Sequence, residues 1–67
     1  MITLTVTTES DVSDQGSVVL VEGTDEGGNI WWFAGEPRLV YDMLAAATQE
    51  GEVQVEVEGW QLWGGPR

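Results

Sequence analysis

Residues 52–59 read EVQVEVEG, in which valine alternates with an acidic or amide side chain. Successive side chains of a β-strand point to opposite faces, so this alternation predicts a half-buried strand. The residues of its apolar face are Val53, Val55 and Val57. The residues of its polar face are Glu52, Gln54, Glu56 and Glu58. The valine face needs a second layer to cover it, which makes a sheet packed against another element the expected architecture.

Three earlier segments complete the predicted sheet. Residues 2–7, ITLTVT, alternate apolar side chains with threonines as a half-buried strand does. We expect these threonines to share the sheet face without the helix with the polar row of residues 52–58. The run VVLV at 18–21 is short and continuously apolar, which is typical of a central strand. We expect these two strands to form an antiparallel hairpin. The third, NIWWFAG at 29–35, places Trp31 and Trp32 on opposite faces.

A single helix is predicted between Pro37 and Gly51. Proline is tolerated at the first helical position, and glycine suits the left-handed residue that ends a helix. The apolar face, which we expect to pack on the sheet, consists of Leu39, Val40, Met43, Leu44 and Ala47. The opposite side, which faces solvent or a second helix, holds Tyr41, Asp42, Ala45, Thr48 and Gln49.

The short connections on both sides of the helix suggest that it runs antiparallel to each flanking strand. The two strands would then be parallel, joined by a right-handed crossover. The expected fold is an α+β domain of order β-β-β-α-β, with a mixed four-stranded sheet and one helix on one face. A bulge at Gly59 would let Trp60 and Leu62 return to the apolar side. We expect a single domain over residues 1–63 and a flexible tail over residues 64–67.

The composition excludes most catalytic chemistry. Among 67 residues there is no cysteine, histidine or lysine, so disulfides, Cys/His zinc sites, Ser-His-Asp triads and Schiff-base lysines are all ruled out. We therefore expect a protein that is not an enzyme and has no cofactor. No apolar run approaches the roughly 20 residues that span a bilayer, and the first residues lack a secretion signal. A cytoplasmic location is the expectation.

The net charge of the chain indicates which kind of partner it could bind. Twelve acids stand against Arg38 and Arg67, which gives a formal net charge of −10. Nucleic acids and anionic lipids are bound through Lys and Arg, so direct binding to either is not expected. A protein with a basic face would instead be attracted to this chain.

One segment has the spacing of a calcium loop. Residues 11–22, DVSDQGSVVLVE, place Asp11 first, a glycine sixth and Glu22 twelfth. Such a loop lies between two helices, whereas the flanking patterns here are strands, so no metal site is expected. A weak incidental cation site is left as a candidate, formed by Asp11, Asp14, Asp25 and Glu26.

The chain has four tryptophans, more than so small a core can bury fully. In the simplest interpretation Trp31 or Trp32 anchors the core and Trp60 closes its end. An exposed tryptophan beside acids suits a partner's Arg or Lys, through cation–π attraction and ion pairing. The predicted partner-binding residues are Glu52, Glu56, Glu58, Trp31, Trp60 and Trp63.

The favoured hypothesis is a non-catalytic acidic protein-binding module. It would act as an inhibitor or regulator that docks on a basic, nucleic-acid-binding partner protein by presenting carboxylates where phosphates would bind. The alternative is a homo-oligomeric structural domain or a binder of small aromatic ligands, in which the acids are a solubilising or salt-adapted coat.

Overall fold

The computed structural model describes residues 1–65, which form six strands, one α-helix and one 3₁₀ turn at Gly59–Gln61. The elements in chain order are β1 (Ile2–Thr7), β2 (Val12–Asp14), β3 (Val19–Thr24), β4 (Ile30–Gly35), α1 (Pro37–Glu50), β5 (Glu52–Val57) and β6 (Leu62–Gly64). The α+β class with one helix on the sheet is confirmed. The predicted number of four strands is too low.

The two strands that sequence patterns missed are three residues each. The three residues of β2, VSD, are too few to show the two-residue alternation of a strand, and Val12 is exposed. β2 and β1 both pair antiparallel with β3, through Val12↔Val21 and Thr5↔Thr24. The expected antiparallel pairing of the first long strand with the second therefore exists, but β2 forms the direct hairpin with β3.

The predicted parallel pair is wrong. β5 pairs with β1, β4 pairs with β3 and β6, and every pairing among the described strands is antiparallel, in the order β5-β1-β3-β4-β6. The sheet is therefore not mixed. The prediction assumed that the strands before and after the helix are parallel neighbours in the sheet, whereas β3 and β1 lie between β4 and β5 in the strand order.

The sheet is strongly curled. β5 and β6 lie at opposite ends of the strand order, which in a flat sheet would separate them by four spacings, about 19 Å. Only four residues connect Val57 to Leu62, and three of them form a 3₁₀ turn with a rise of about 2 Å per residue. The connection is too short to cross a flat sheet. The two ends of the sheet therefore approach each other as in a partly open barrel.

The core lies between the concave side of this sheet and α1. Its fully or nearly buried members are Leu4, Val6, Val19, Val21, Phe33, Val40 and Val57. The boundaries of α1 are as predicted, with Pro37 in its first turn and Gly51 after its last residue at a φ of 88°. The Gly51 N–H donates to the Ala47 carbonyl at 2.8 Å, which satisfies one of the free carbonyls at the helix end.

One residue of the predicted apolar helix face is misplaced. Val40 and Ala47 are buried and Met43 and Leu44 pack against the core, but the side chain of Leu39 is 62% exposed. A single helix on a narrow curled sheet covers a limited width, so a residue at the edge of the apolar stripe stays outside.

The predicted tail begins inside an element. Gly64 is the last residue of β6 and pairs with Trp32, while Pro66 and Arg67 lie outside the described residues. A side chain at Gly65, whose φ is 114°, would collide with the backbone of Ile30 and Trp31. No helix within residues 1–65 is long and apolar enough to cross a membrane.

Candidate functional site

The face of the sheet turned away from α1 carries the predicted polar rows. β5 and β1 pair through Glu52↔Thr7, Gln54↔Thr5 and Glu56↔Thr3, so the acids and threonines share this face. Strand β3 adds Glu22 and Thr24 beside them, because Thr24 pairs with Thr5. Glu52 and Glu56 are exposed, and no residue of either row is basic. We call this surface the acidic face.

The tryptophan on the acidic face is Trp32. It pairs directly with Glu22 across the β3–β4 ladder, and it is half-buried. Trp31 points to the helix side, where it packs against the core. β4 therefore places Trp31 on the opposite face of the sheet from the glutamates of β5, and its role in partner binding stays a prediction.

A groove opens where the curled sheet fails to close. It has a volume of about 580 Å³ and lies between residues of β5, residues of β4, the first turns of α1 and the 3₁₀ turn. Its apolar lining includes Phe33, Leu39, Met43, Val55, Val57 and Trp60. Two exposed acids, Glu36 and Glu56, also line it. We call this feature the seam groove.

The seam groove brings together two of the predicted partner-binding residues, Glu56 and Trp60. Trp60 is 82% exposed, so the interpretation in which it closes the core is wrong. The 3₁₀ turn projects it outward, and Leu39 of α1 lines the same groove. Two large apolar side chains that stay in water beside carboxylates are typical of a surface that meets a partner.

The remaining predicted residues lie elsewhere. Trp63 lies on β6 and is 63% exposed. It stands where the β4–β6 pairing shifts register, between the pairs Phe33↔Leu62 and Trp32↔Gly64. Glu58 is the N-cap of the 3₁₀ turn. Its backbone carbonyl accepts the N–H of Gln61 at 3.0 Å, and its backbone N–H donates to the Gln61 side chain. Glu58 therefore has a structural role as the N-cap of the 3₁₀ turn, which the alternating pattern alone did not reveal.

Gln61 is a residue of the site that sequence reasoning missed. Its Oε1 accepts the backbone N–H of Glu58 at 2.9 Å, and its Nε2 donates to the Ala34 carbonyl at 3.2 Å. The second bond joins the 3₁₀ turn to β4 across one end of the seam groove. A glutamine three residues after Glu58 was a visible signal, because this spacing permits a capping box.

Asp25 organises the β3–β4 turn. Its Oδ1 accepts the backbone N–H groups of Gly27 and Asn29, both at 2.9 Å. Its Oδ2 accepts the Trp31 indole N–H at 2.9 Å and the Asn29 side-chain amide at 3.1 Å. The Trp31 indole and then the Asn29 backbone amide stabilise the ionised form, which lowers the pKa of Asp25 below its ordinary value.

The candidate cation residues do not form one group. Four hydrogen bonds already occupy the carboxylate of Asp25, and Asp14 accepts the Gly16 N–H at 2.8 Å. Across residues 1–65 there is no cluster of three or more acidic side chains placed to hold a metal ion. A depression of about 370 Å³ beside Asp25 and Glu26 is lined by the first residues of the chain and carries no such cluster.

Fold and site together define a small α+β domain with an acidic open face and an apolar seam. Comparison with protein-family models, with curated proteins and with solved structures finds no match for this chain.

Proposed function

We propose that this chain is a non-catalytic acidic protein-binding module that docks on a basic partner protein and so inhibits or regulates it. The main observation in its support is that Glu56 and the exposed Trp60 line the same groove at the border of the acidic face. Trp60 supplies an anchor with a large apolar area, and the glutamates of β5 supply charge that attracts and orients a basic partner.

The distribution of charge supports the same proposal. Within residues 1–65 the only basic side chain is Arg38, which lies in the first turn of α1 and not in the acidic face. The acids therefore have almost no internal countercharge, and a partner rich in Lys and Arg would supply it. Proteins that bind nucleic acids have such a surface, because phosphate binding requires it.

Charge reversal on β5 tests the proposal. We expect Glu52→Lys with Glu56→Lys to remove salt-sensitive binding to an arginine-rich probe peptide of about twenty residues, because the attraction at the acidic face is lost. Glu58 stays unchanged because it caps the 3₁₀ turn. Binding is measured by fluorescence anisotropy at low and high salt, and circular dichroism verifies that each variant is folded.

The matched control carries Glu9→Lys and Glu50→Lys, two exposed glutamates off the acidic face that change the net charge equally. We expect this control to retain most of the affinity. Equal losses in both variants would show that net charge alone attracts the probe, as a salt-adapted coat would. Unchanged binding by the β5 variant would show that the acidic face is not the site.

A further inference from the structure

We infer that the partner contributes an extended segment that adds to the free edge of β5, with basic and apolar side chains in alternation. This inference rests on the proposed function and specifies how its partner binds. Among the described strands β5 pairs only with β1, so its second edge presents unpaired backbone N–H and C=O groups. Such an edge accepts an added strand, and main-chain hydrogen bonds supply affinity.

The side chains along the free edge of β5 are only partly covered. Val53 and Val55 point to the helix side of the sheet, yet both stay partly exposed. Leu4 and Val6, which pair with them on β1, are fully buried. At these two pairs burial decreases toward the free edge of β5 and leaves apolar surface partly uncovered, whereas Val57 at the end of the strand is buried.

The side chains of β5 set the pattern of the added strand. Residues of a neighbouring strand alternate between the two faces and lie about 5 Å from their partners. On the acidic face they would lie next to Glu52 and Glu56, which favours Lys or Arg there. On the other face they would lie next to Val55, with the seam groove beyond it, which favours apolar side chains.

The seam groove gives those apolar side chains a place to bind. Leu39 and Trp60 line it, and both are more than half exposed in the free chain. A second copy of this chain is a poor occupant, because its net charge of −10 would repel an equal charge and its own β5 would set acid against acid. A basic segment of a different protein has the complementary charge.

Three peptides of about eight residues test the inference, each binding to the full chain labelled with ¹⁵N. The first alternates lysine and valine. The second has the same composition with all lysines before all valines. The third is the alternating peptide with an N-methyl group on every residue, which removes the backbone donors of both edges. We expect the first to bind about tenfold or more tightly than the other two, because only it presents both faces and a pairing edge.

Two variants locate the binding. Leu39→Ser should weaken the alternating peptide several-fold, whereas Tyr41→Ser, an exposed apolar residue of the same helix that does not line the groove, should leave it unchanged. Amide shifts and slowed hydrogen exchange along Glu52–Val57 are the expected signature of an added strand.

The possible outcomes distinguish failure of the edge-strand inference from failure of the proposed function. Equal affinity for the alternating and block peptides, or no response along β5, would overturn the edge-strand inference and leave the proposed function in place. Self-association that Leu39→Ser abolishes would also overturn it, in favour of a second copy. Absence of binding by the alternating and the block peptide alike at low salt would overturn the inference together with the proposed function.

Discussion

The indole N–H of Trp31 donates to the Oδ2 of Asp25 at 2.9 Å, so one residue of β4 is tied to the turn that precedes it. The same carboxylate accepts the backbone N–H groups of Gly27 and Asn29. An acid in the turn thereby fixes both the path of the chain and the rotamer of a half-buried aromatic side chain. Two residues that the sequence suggested for binding, a cation in one case and a partner in the other, have a structural role.

Replacement of Asp25 by asparagine should lower the unfolding temperature at neutral pH. The folded state lowers the pKa of Asp25, so the stabilisation is present above the pKa of the unfolded chain and is lost as pH falls through the folded value. The difference between the natural chain and Asp25→Asn should therefore shrink on acidification below the ordinary carboxyl range.

Thermal unfolding followed by circular dichroism across pH measures this effect. Glu26→Gln is the control, because it removes the same charge from the neighbouring residue, which is exposed. A loss in Asp25→Asn that equals the loss in Glu26→Gln, or that stays constant with pH, would contradict the role assigned to the ionised carboxylate.

Truncation of two leucines should change the free energy of unfolding by very different amounts. Leu4 is fully buried, so Leu4→Ala should cost about 2–5 kcal/mol of the free energy of unfolding. Leu39 is 62% exposed, so Leu39→Ala should change the free energy of unfolding by about 0.5 kcal/mol or less. Urea denaturation measures both. If Leu4→Ala does not fold, Leu4→Val should still fold and lose about 1 kcal/mol. Similar losses at Leu4 and Leu39 would contradict the described packing of α1.

Gln61 should stabilise the chain through its side-chain amide. Gln61→Ala removes its bonds to the backbone of Glu58 and Ala34, at an expected cost of about 1–2 kcal/mol in the free energy of unfolding. Gln49→Ala, on the exposed side of α1, is the matched control and should be nearly neutral. Chemical denaturation with both variants measures the difference, and equal stabilities would show that the 3₁₀ turn is not held to β4 by this side chain.

Two adjacent glycines at the end of β6 should respond differently to alanine. Gly65 has a positive φ and no room for a Cβ atom beside Ile30, so Gly65→Ala should destabilise the chain by about 1–3 kcal/mol. Nothing lies within 4 Å of a Cβ atom at Gly64, and Gly64→Ala should be tolerated. Thermal unfolding compares the two. Amide spectra should show loss of the β4–β6 pairing only in Gly65→Ala, and an intact β6 in that variant would refute the assigned close contact.

Sequence patterns predicted the helix and four long strands because these depend on local periodicity. The proline and glycine that bound α1 act through their own backbone preferences, and the alternating residues of β5 place valines and glutamates on opposite faces in any sheet. The shared face of the β1 threonines and β5 glutamates followed from the same alternation, and the register confirms it.

The candidate site was predictable only in part. Glu52, Glu56 and Trp60 were identified from charge and aromatic content, and the structure leaves all three exposed. Leu39 was assigned to the core because the helical period places it near the buried stripe. Whether a residue at the edge of that stripe is covered depends on the width of the opposing sheet, which no local pattern encodes.

The sequence by itself determined the type of the long elements, the limits of the helix, the charge of the open face and the absence of cysteine, histidine and lysine. Only the tertiary structure decided that β5 pairs with β1, that the sheet curls, and that an apolar groove with Leu39 and Trp60 lies at its seam. The physical reason is that periodicity and charge belong to neighbouring residues. Curvature and strand order arise from the packing of the whole chain at once.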